Sequence, residues 1–215
     1  KIGFKKIAII LMRFIKINNM FVLGLTGGIA SGKTTATDFF SKKGIDVVDA
    51  DEISRNLQKK GQAGYLEIVK RYGKDILGAG DEIDRKKLRE IAFSQESEKQ
   101  WLEDLMHPLI RETTMNAFNN VKSKWSIYSA PLWNDQNKFE RVLVIDAPKH
   151  LQIQRIKERD SINFKIAEGI LNAQISSNDR INYATDLIIN DGTIDELNNK
   201  LDFYYNLYNK LFNDK

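Results

Sequence analysis

Cysteine is absent from this chain of 215 residues, and histidine occurs only at His107 and His150. The absence of cysteine excludes disulfides, zinc sites built on thiolates and a cysteine nucleophile. Two isolated histidines are too few for a metal site built on imidazole groups. The composition permits a cytoplasmic protein, and this is the location we expect.

Acidic residues are missing from positions 1–19. The basic residues of this segment are Lys1, Lys5, Lys6, Arg13 and Lys16. The formal net charge of +4 therefore comes from these positions, and the remainder of the chain sums to −1. We expect neither a nucleic-acid nor a membrane partner, because the main body carries no basic excess. The apolar run Ile7–Met12 is too short for a signal peptide or for a membrane span, which needs about 20 residues. A surface helix stays open as an alternative, but we favour an extension before Met20 that has no role in the fold.

Short apolar runs alternate with helical patterns along the rest of the chain. Strands are predicted at 21–26, 45–48, 126–130, 142–145 and 187–189. A helix is predicted from Gly32 to Lys42, with Gly44 as its stop signal. A strand, a helix and a second strand in this order form a βαβ unit, which implies a parallel sheet. The sequence therefore predicts an α/β fold with a five-stranded parallel sheet.

The segment Gly27–Thr34 fits the phosphate-loop pattern G-x-x-x-x-G-K-[ST]. Glycines let backbone N–H groups approach an anion, and the following helix directs its positive end at the phosphates. Lys33 is predicted to span the β- and γ-phosphates as a catalytic cation, and the Thr34 hydroxyl to ligate Mg²⁺. The residues predicted to bind ATP here are Gly28, Ile29, Ala30, Ser31, Gly32, Lys33, Thr34 and Thr35. The alternative, a glycine turn with a surface lysine, is disfavoured by the strand before it and the helix after it.

A GTPase is not indicated, because Asp146-Ala147-Pro148 lacks the glycine of D-x-x-G and Glu140 replaces the aspartate of the guanine motif. A small-molecule kinase of the three-layer P-loop NTPase fold suits the length and the helical segments. We predict one kinase domain over 20–215. Its core would be 20–51, 122–154 and 183–215, its acceptor-binding insertion about 52–121 and its lid about 155–182.

Four motifs, spread over about residues 20–192, resemble those of one protein family and occur in the same order as in that family. They are Leu25–Thr34, Asp49-Ala50-Asp51 with Arg55, His107-Pro108-Leu109-Ile110-Arg111, and Gln174 and Arg180 with Ala184–Asn190. This combination resembles the dephospho-CoA kinases. The resemblance implies ATP-dependent phosphorylation of the ribose 3′-hydroxyl of dephospho-CoA, the final step of coenzyme A biosynthesis. It also implies ATP and Mg²⁺ as the cofactors.

The resemblance assigns the catalytic carboxylate to Asp51, which would take the proton from the ribose hydroxyl. A position just after the second strand supports this, because parallel sheets place ligands at the carboxyl ends of their strands. The alternative is that Asp51 caps the next helix.

Four positions match the acceptor-binding residues of the family: Asp49, Arg55, His107 and Arg111. Arg55 lies one helical turn after Asp51, and Arg111 one turn after His107, so each pair can share a helix face. For Asp49 the alternatives are a contact with metal-bound water and a structural role. For Arg55 the alternative is an exposed arginine, and for His107 a helix-entry residue.

Three arginines flank the charged lid segment. Lid arginines can neutralise charge on the transferring group. We predict Arg155 to be catalytic and Arg159 and Arg180 to bind ATP. A solvated charged helix is the alternative.

The sequence departs from the family after its third strand. Pro131-Leu132 is followed by Trp133-Asn134-Asp135, and the usual glutamate is missing. A kinase for another hydroxyl or nucleotide, or an ATP-binding module without catalysis, therefore stays open. The sequence does not indicate an oligomeric state.

Overall fold

A computed structural model describes residues 21–130 and 139–213 of the chain. The predictions for positions 1–19 and for Trp133–Asp135 lie outside these residues. The described chain divides into two compact units. A helical unit comprises 49–120, and a sheet unit comprises 21–48, 121–130 and 139–213. The assignment of a core, an acceptor insertion and a lid stays a prediction.

The sheet contains five strands: β1 (Phe21–Gly27), β2 (Asp46–Asp49), β3 (Trp125–Ser129), β4 (Arg141–Asp146) and β5 (Asp186–Ile189). Their order is β2-β3-β1-β4-β5. β1 is parallel to β3 and to β4, and β4 is parallel to β5. The predicted five-stranded parallel α/β fold is confirmed, and each predicted strand end lies within one residue of the observed one.

The helices, in chain order, are α1 (Lys33–Lys42), α2 (Ala50–Leu57), α3 (Ala63–Tyr72), α4 (Arg85–Ser94), α5 (Glu96–Asn119), α6 (Lys149–Asp160), α7 (Phe164–Asn172), α8 (Ser177–Ile181) and α9 (Ile194–Asn213). The prediction for α1 is confirmed, because the helix begins directly after Gly32 and ends at Lys42. Gly44, with φ 83°, reverses the chain after it. Each helix in the described ranges is too short or too polar to cross a bilayer.

The core of the sheet unit forms around the two central strands. β1 is buried from its second residue onward, as expected for a strand covered on both faces. Its Leu23 and Leu25 are buried together with Phe40 of α1. Trp125 of β3 packs edge-on against Phe40 at 5.9 Å between ring centroids and against Tyr208 of α9 at 5.7 Å. This core holds the carboxyl end of β1, and hence the loop after it, against α1 and α9.

A buried ion pair joins β4 and β5. Arg141 donates two hydrogen bonds to Asp186, of 2.8 and 2.7 Å, and the Tyr208 hydroxyl of α9 donates a third of 3.0 Å. Burial of Asp186 opposes its ionisation, but these hydrogen bonds outweigh it, so the pKa of the carboxyl is lowered. Burial raises the pKa of Tyr208 and keeps its phenol protonated.

The helical unit is built from α2 to α5 around its own apolar cluster. Tyr65, Ile68, Ile76, Ile83 and Leu88 are buried there. Two 3₁₀ turns, Gly73–Ile76 and Ala79–Asp81, lie between α3 and α4. The longest helix of the unit, α5, continues through Pro108 without ending.

Candidate active site

The phosphate loop connects β1 directly to α1. The Ser31 N–H donates to the Gly28 carbonyl at 3.1 Å, which closes a tight turn. Gly32 has φ 107°, a backbone conformation that costs glycine little and other residues more. The Ala36 N–H then donates to the Gly32 carbonyl at 3.0 Å and begins the helical pattern. The predicted strand, loop and helix are therefore present in the order that anion binding requires.

Gly28 lies against two polar side chains of the protein. A methyl group at this position would come within 2.7 Å of the Gln152 amide nitrogen and 2.9 Å of an Arg180 guanidinium nitrogen. The ends of these side chains would have to shift to accommodate a Cβ atom. Glycine thus lets the loop pack closely on Gln152 and Arg180, in addition to the approach of a phosphate that the sequence suggested.

Ile29 is held at both its N–H and its carbonyl group. The Gln152 amide of α6 donates to the Ile29 carbonyl at 2.8 Å. The Gln174 side-chain carbonyl, in the connection between α7 and α8, accepts from the Ile29 N–H at 2.9 Å. Gln174 was part of a family motif in the sequence, but no role was assigned to it. Gln152 was not identified from the sequence. A signal existed for Gln152, since this amide precedes Ile153 and lies one turn before Ile156 on the apolar face of α6.

The next two residues of the loop are also fixed through their carbonyl groups. Arg155 of α6 donates to the Ala30 carbonyl at 3.3 Å and to the Asn190 carbonyl at 3.2 Å. The Asn190 amide donates to the Ser31 carbonyl at 2.8 Å. Arg155, which the sequence predicted to be catalytic, therefore lies beside the phosphate loop and contacts its backbone.

The Lys33 ammonium group donates to the Ser129 hydroxyl at the end of β3, at 2.9 Å. Ser129 is a buried polar residue in a strand of the core. The contact accounts for its polarity, because the strand beside β1 supplies an acceptor to the lysine of the loop. Lys33 thus lies in the first turn of α1 with its charge directed toward the carboxyl end of the sheet.

Thr34 and Thr35 lie in the first turn of α1. Thr34 is exposed, and Thr35 is partly buried. A hydroxyl oxygen is a suitable ligand for Mg²⁺ when phosphate oxygens supply further positions. In residues 21–130 and 139–213 there is no group of three or more His, Cys, Asp or Glu side chains able to hold a metal. Magnesium binding by Thr34 stays a prediction.

Arg180 of α8 is 3% exposed and lies under Gly28. One of its guanidinium nitrogens is 3.5 Å from the Asp146 carboxylate at the end of β4, and another donates to the Ile175 carbonyl. Burial lowers the pKa of Arg180, and the charge of Asp146 opposes that change. The structure places Arg180 beside the phosphate loop and buries it in the protein, and its contact with ATP stays a prediction.

Arg159 stands apart from the loop contacts at the end of α6. Its guanidinium donates two hydrogen bonds to the carboxylate of the neighbouring Asp160, of 2.7 and 2.8 Å. Both side chains are partly exposed to solvent, that of Arg159 more than that of Asp160. The hydrogen bond to Asp160 raises the pKa of Arg159. Its contact with ATP stays a prediction.

In the helical unit, Asp49 caps α2. Its carboxylate accepts hydrogen bonds from the N–H groups of Asp51 and Glu52, at 2.8 and 3.0 Å. The suggestion that Asp51 caps this helix is therefore wrong, because Asp51 is the second residue inside it. The structural role left open for Asp49 is confirmed, and its contact with the acceptor stays a prediction.

The remaining predicted acceptor residues also lie in this unit. Arg55 is exposed on α2, and its carbonyl accepts from Arg85 at 3.5 Å. His107 and Arg111 lie one turn apart on α5. His107 is not a helix-entry residue, because α5 begins at Glu96. Burial of His107 lowers the pKa of its imidazole, although the Glu103 charge acts in the opposite direction.

The fold and the phosphate loop define a P-loop kinase. A family model described as dephospho-CoA kinase matches residues 21–196. The chain belongs to the dephospho-CoA kinase family, which catalyses the final step of coenzyme A biosynthesis and uses ATP as phosphoryl donor.

Proteins of known name share much of this sequence. A dephospho-CoA kinase of Idiomarina loihiensis is 40% identical over 191 residues, covering 87% of this chain and 95% of that protein. One of Coxiella burnetii is 38% identical over 179 residues, covering 81% and 90%. The structure of dephospho-CoA kinase from Campylobacter jejuni matches with a TM-score of 0.63 at 26% identity, over 88% of this chain and 97% of the other. TT1252 from Thermus thermophilus has a TM-score of 0.73 at 22% identity, over 86% and 96%, and shows the same fold.

Proposed function

We propose that this chain transfers the γ-phosphoryl group of ATP to the ribose 3′-hydroxyl of dephospho-CoA. The observation that carries the proposal is the phosphate loop, which places Lys33 at the start of α1 directly beyond the buried β1. Family membership over residues 21–196 supplies the acceptor.

The nucleotide end of the reaction rests on the sheet unit. Backbone N–H groups of the loop and the positive end of α1 would bind the triphosphate. The Lys33 ammonium would leave the Ser129 hydroxyl for the β- and γ-phosphate oxygens, where negative charge moves during the transfer. The Thr34 hydroxyl would help to hold Mg²⁺, which would supply neutralisation of charge on the phosphates.

The acceptor end rests on the helical unit. The Asp51 carboxylate would accept the proton of the ribose 3′-hydroxyl as its oxygen attacks the γ-phosphorus and the bond to ADP breaks. Asp51 suits this role because it lies in the first turn of α2, directly after the carboxyl end of β2. Arg55, His107 and Arg111 are proposed to bind the acceptor.

The lid arginines complete the proposal. Arg159 is proposed to bind ATP, and Arg180 is proposed to bind ATP from its place beside Gly28 of the loop. A role of Arg155 at the transferring group has less support, since both ends of its guanidinium contact backbone carbonyls. The cytoplasmic location stays a prediction from the sequence.

The test is the formation of coenzyme A from ATP and dephospho-CoA by the purified full chain, followed by mass spectrometry. Parallel reactions contain adenosine, a nucleoside monophosphate or pantothenate in place of dephospho-CoA. We expect a mass increase of one phosphoryl group on dephospho-CoA alone. Preferred phosphorylation of another acceptor would replace the proposed substrate, and ATP binding without any product would remove the proposed catalysis.

A further inference from the structure

Three consecutive carbonyl oxygens of the phosphate loop accept hydrogen bonds from side chains outside the loop. These are the carbonyls of Ile29, Ala30 and Ser31, with distances of 2.8, 3.3 and 2.8 Å to their donors. The donors, in the same order, are Gln152, Arg155 and Asn190, and we call these three side chains the carbonyl brace. Arg155 also donates to the Asn190 carbonyl, which links two members of the brace.

Peptide geometry gives the carbonyl brace a consequence for the opposite side of the loop. In a trans peptide the C=O group and the following N–H group point in opposite directions, and no cis peptide occurs in the described residues. Holding the Ile29 carbonyl on Gln152 therefore turns the Ala30 N–H away from α6. The hydrogen bond from Asn190 to the Ser31 carbonyl likewise turns the Gly32 N–H group away from Asn190. A carbonyl that rotated the other way would present a negative dipole to the nucleotide.

The burial of the brace shows that these contacts are specific. Gln152 is 4% exposed and Asn190 is 7% exposed. A buried amide without a hydrogen-bond partner costs free energy, so both side chains depend on the loop carbonyls as acceptors. Gln152 also lies where a Cβ on Gly28 would collide with it, which fixes the loop from a second direction.

We infer that the carbonyl brace orients the phosphate loop for the triphosphate before nucleotide binds, with Gln152 and Asn190 as positioning residues. The brace donates to backbone carbonyls and leaves the reacting atoms to Lys33 and Asp51. Arg155 belongs to this brace, which gives it a positioning role in place of a catalytic one. The inference rests on the proposed function only in taking ATP as the ligand.

The test compares three variants of the full chain with the parent. Gln152→Met keeps the length of the side chain and removes its donor, and Asn190→Asp keeps the shape and replaces the donor with an acceptor. Gln154→Met is the matched control, since Gln154 is exposed on the same helix and binds Glu158. The dissociation constant of the β,γ-imido analogue of ATP is measured by calorimetry, and the KM of dephospho-CoA by steady-state kinetics.

We expect Gln152→Met to weaken binding of the analogue about tenfold, the effect of one lost hydrogen bond of ordinary strength. Asn190→Asp should weaken it at least as much, because a carboxylate would oppose the Ser31 carbonyl. The KM of dephospho-CoA should stay within about twofold of the parent value in both, since the brace acts on the nucleotide loop alone. Gln154→Met should change neither quantity.

Several results would overturn the inference. One is unchanged analogue binding in a folded Gln152→Met or Asn190→Asp variant, and another is an equal loss for analogue and dephospho-CoA. Failure of both variants to fold would also contradict it, because the brace would then serve the fold and not the nucleotide. A parent chain that ignores the analogue would instead contradict the proposed function, which separates the two failures.

Discussion

The Lys33 ammonium group and the Ser129 hydroxyl are joined by a hydrogen bond of 2.9 Å that connects the first turn of α1 to the end of β3. The contact spans two neighbouring strands of the sheet, because β3 lies beside β1 and the loop follows β1. A buried serine in a strand of the core thus has a partner that belongs to the nucleotide loop. The hydrogen bond to Ser129 keeps the Lys33 ammonium group beside the phosphate loop.

Replacement of Lys33 by Met tests the charge of the loop. We expect kcat/KM for ATP to fall about 10²- to 10³-fold, because the ammonium stabilises charge that develops on the phosphoryl group. Steady-state kinetics measure the loss, and the free energy of unfolding should change little, since Lys33 is partly exposed. Lys42→Met at the other end of α1 is the matched control. A similar rate for both variants would contradict the assignment.

Replacement of Asp51 by Asn tests the proposed base. We expect kcat to fall about 10²- to 10⁴-fold, the usual contribution of a general base, while the dissociation constant of ATP is retained. Single-turnover kinetics and calorimetry measure the two quantities. Glu52→Gln, an exposed neighbour in the same helical turn, serves as the control. Near-parental turnover of Asp51→Asn would remove this residue from the mechanism.

Replacement of Asp49 separates its cap from any role in the acceptor site. Asp49→Ala should lower the free energy of unfolding by about 1 kcal/mol, because two N–H groups of α2 lose their acceptor. Asp49→Asn should retain most of that stability, since asparagine caps helices about as well as aspartate. Denaturant unfolding measures both. A stable Asp49→Asn variant with a raised KM for dephospho-CoA would show that the negative charge itself contacts the acceptor site.

The ion pair of Arg141 and Asp186 predicts a dependence of stability on acidity. The pKa of Asp186 is lowered in the folded chain, so its contribution is present above the unfolded value of about 3.9 and is lost as the pH falls through the folded value. Asp186→Asn should cost about 3 kcal/mol at neutral pH, because it weakens a largely buried pair. The variant should also lose less stability than the parent between pH 4 and more acidic conditions.

Urea unfolding at a series of pH values measures this difference. Asp202→Asn provides the comparison, since Asp202 pairs with Lys43 at a site where both side chains are more than 40% exposed. Surface pairs of this kind are screened by solvent and contribute little to stability. Equal pH profiles for the parent and Asp186→Asn would contradict the role of the buried pair.

The sequence was sufficient for the sheet and for the loop, because both depend on local patterns. Apolar runs bounded by turn residues located all five strands, and the spacing of Gly27, Gly32 and Lys33 defined the loop. The contacts that hold the loop could not be predicted in this way. Gln152 and Asn190 lie more than 120 residues along the chain from their partners, and no short pattern connects them.

Two alternatives that the sequence left open are contradicted by the structure, for physical reasons. In Asp49-Ala50-Asp51 either carboxylate could cap a helix. Which of the two does so depends on the residue at which β2 ends. The sequence pattern locates that end only to within about one residue. His107 was considered a helix-entry residue because proline disfavours helix interiors. In α5, however, Trp101, Leu102 and Leu105 pack on the apolar cluster of the helical unit, and that packing extends the helix upstream of Pro108.

The two hydrogen bonds on Ile29 have a consequence for protein engineering. Grafting residues 27–34 into another nucleotide-binding scaffold would transfer the sequence motif alone. The two glutamines that form hydrogen bonds with the N–H and carbonyl groups of Ile29 would be left behind. We expect such a chimera to bind triphosphate poorly unless equivalents of Gln152 and Gln174 travel with the graft. A functional graft would therefore have to include both the eight-residue loop and the distant side chains that bind its backbone.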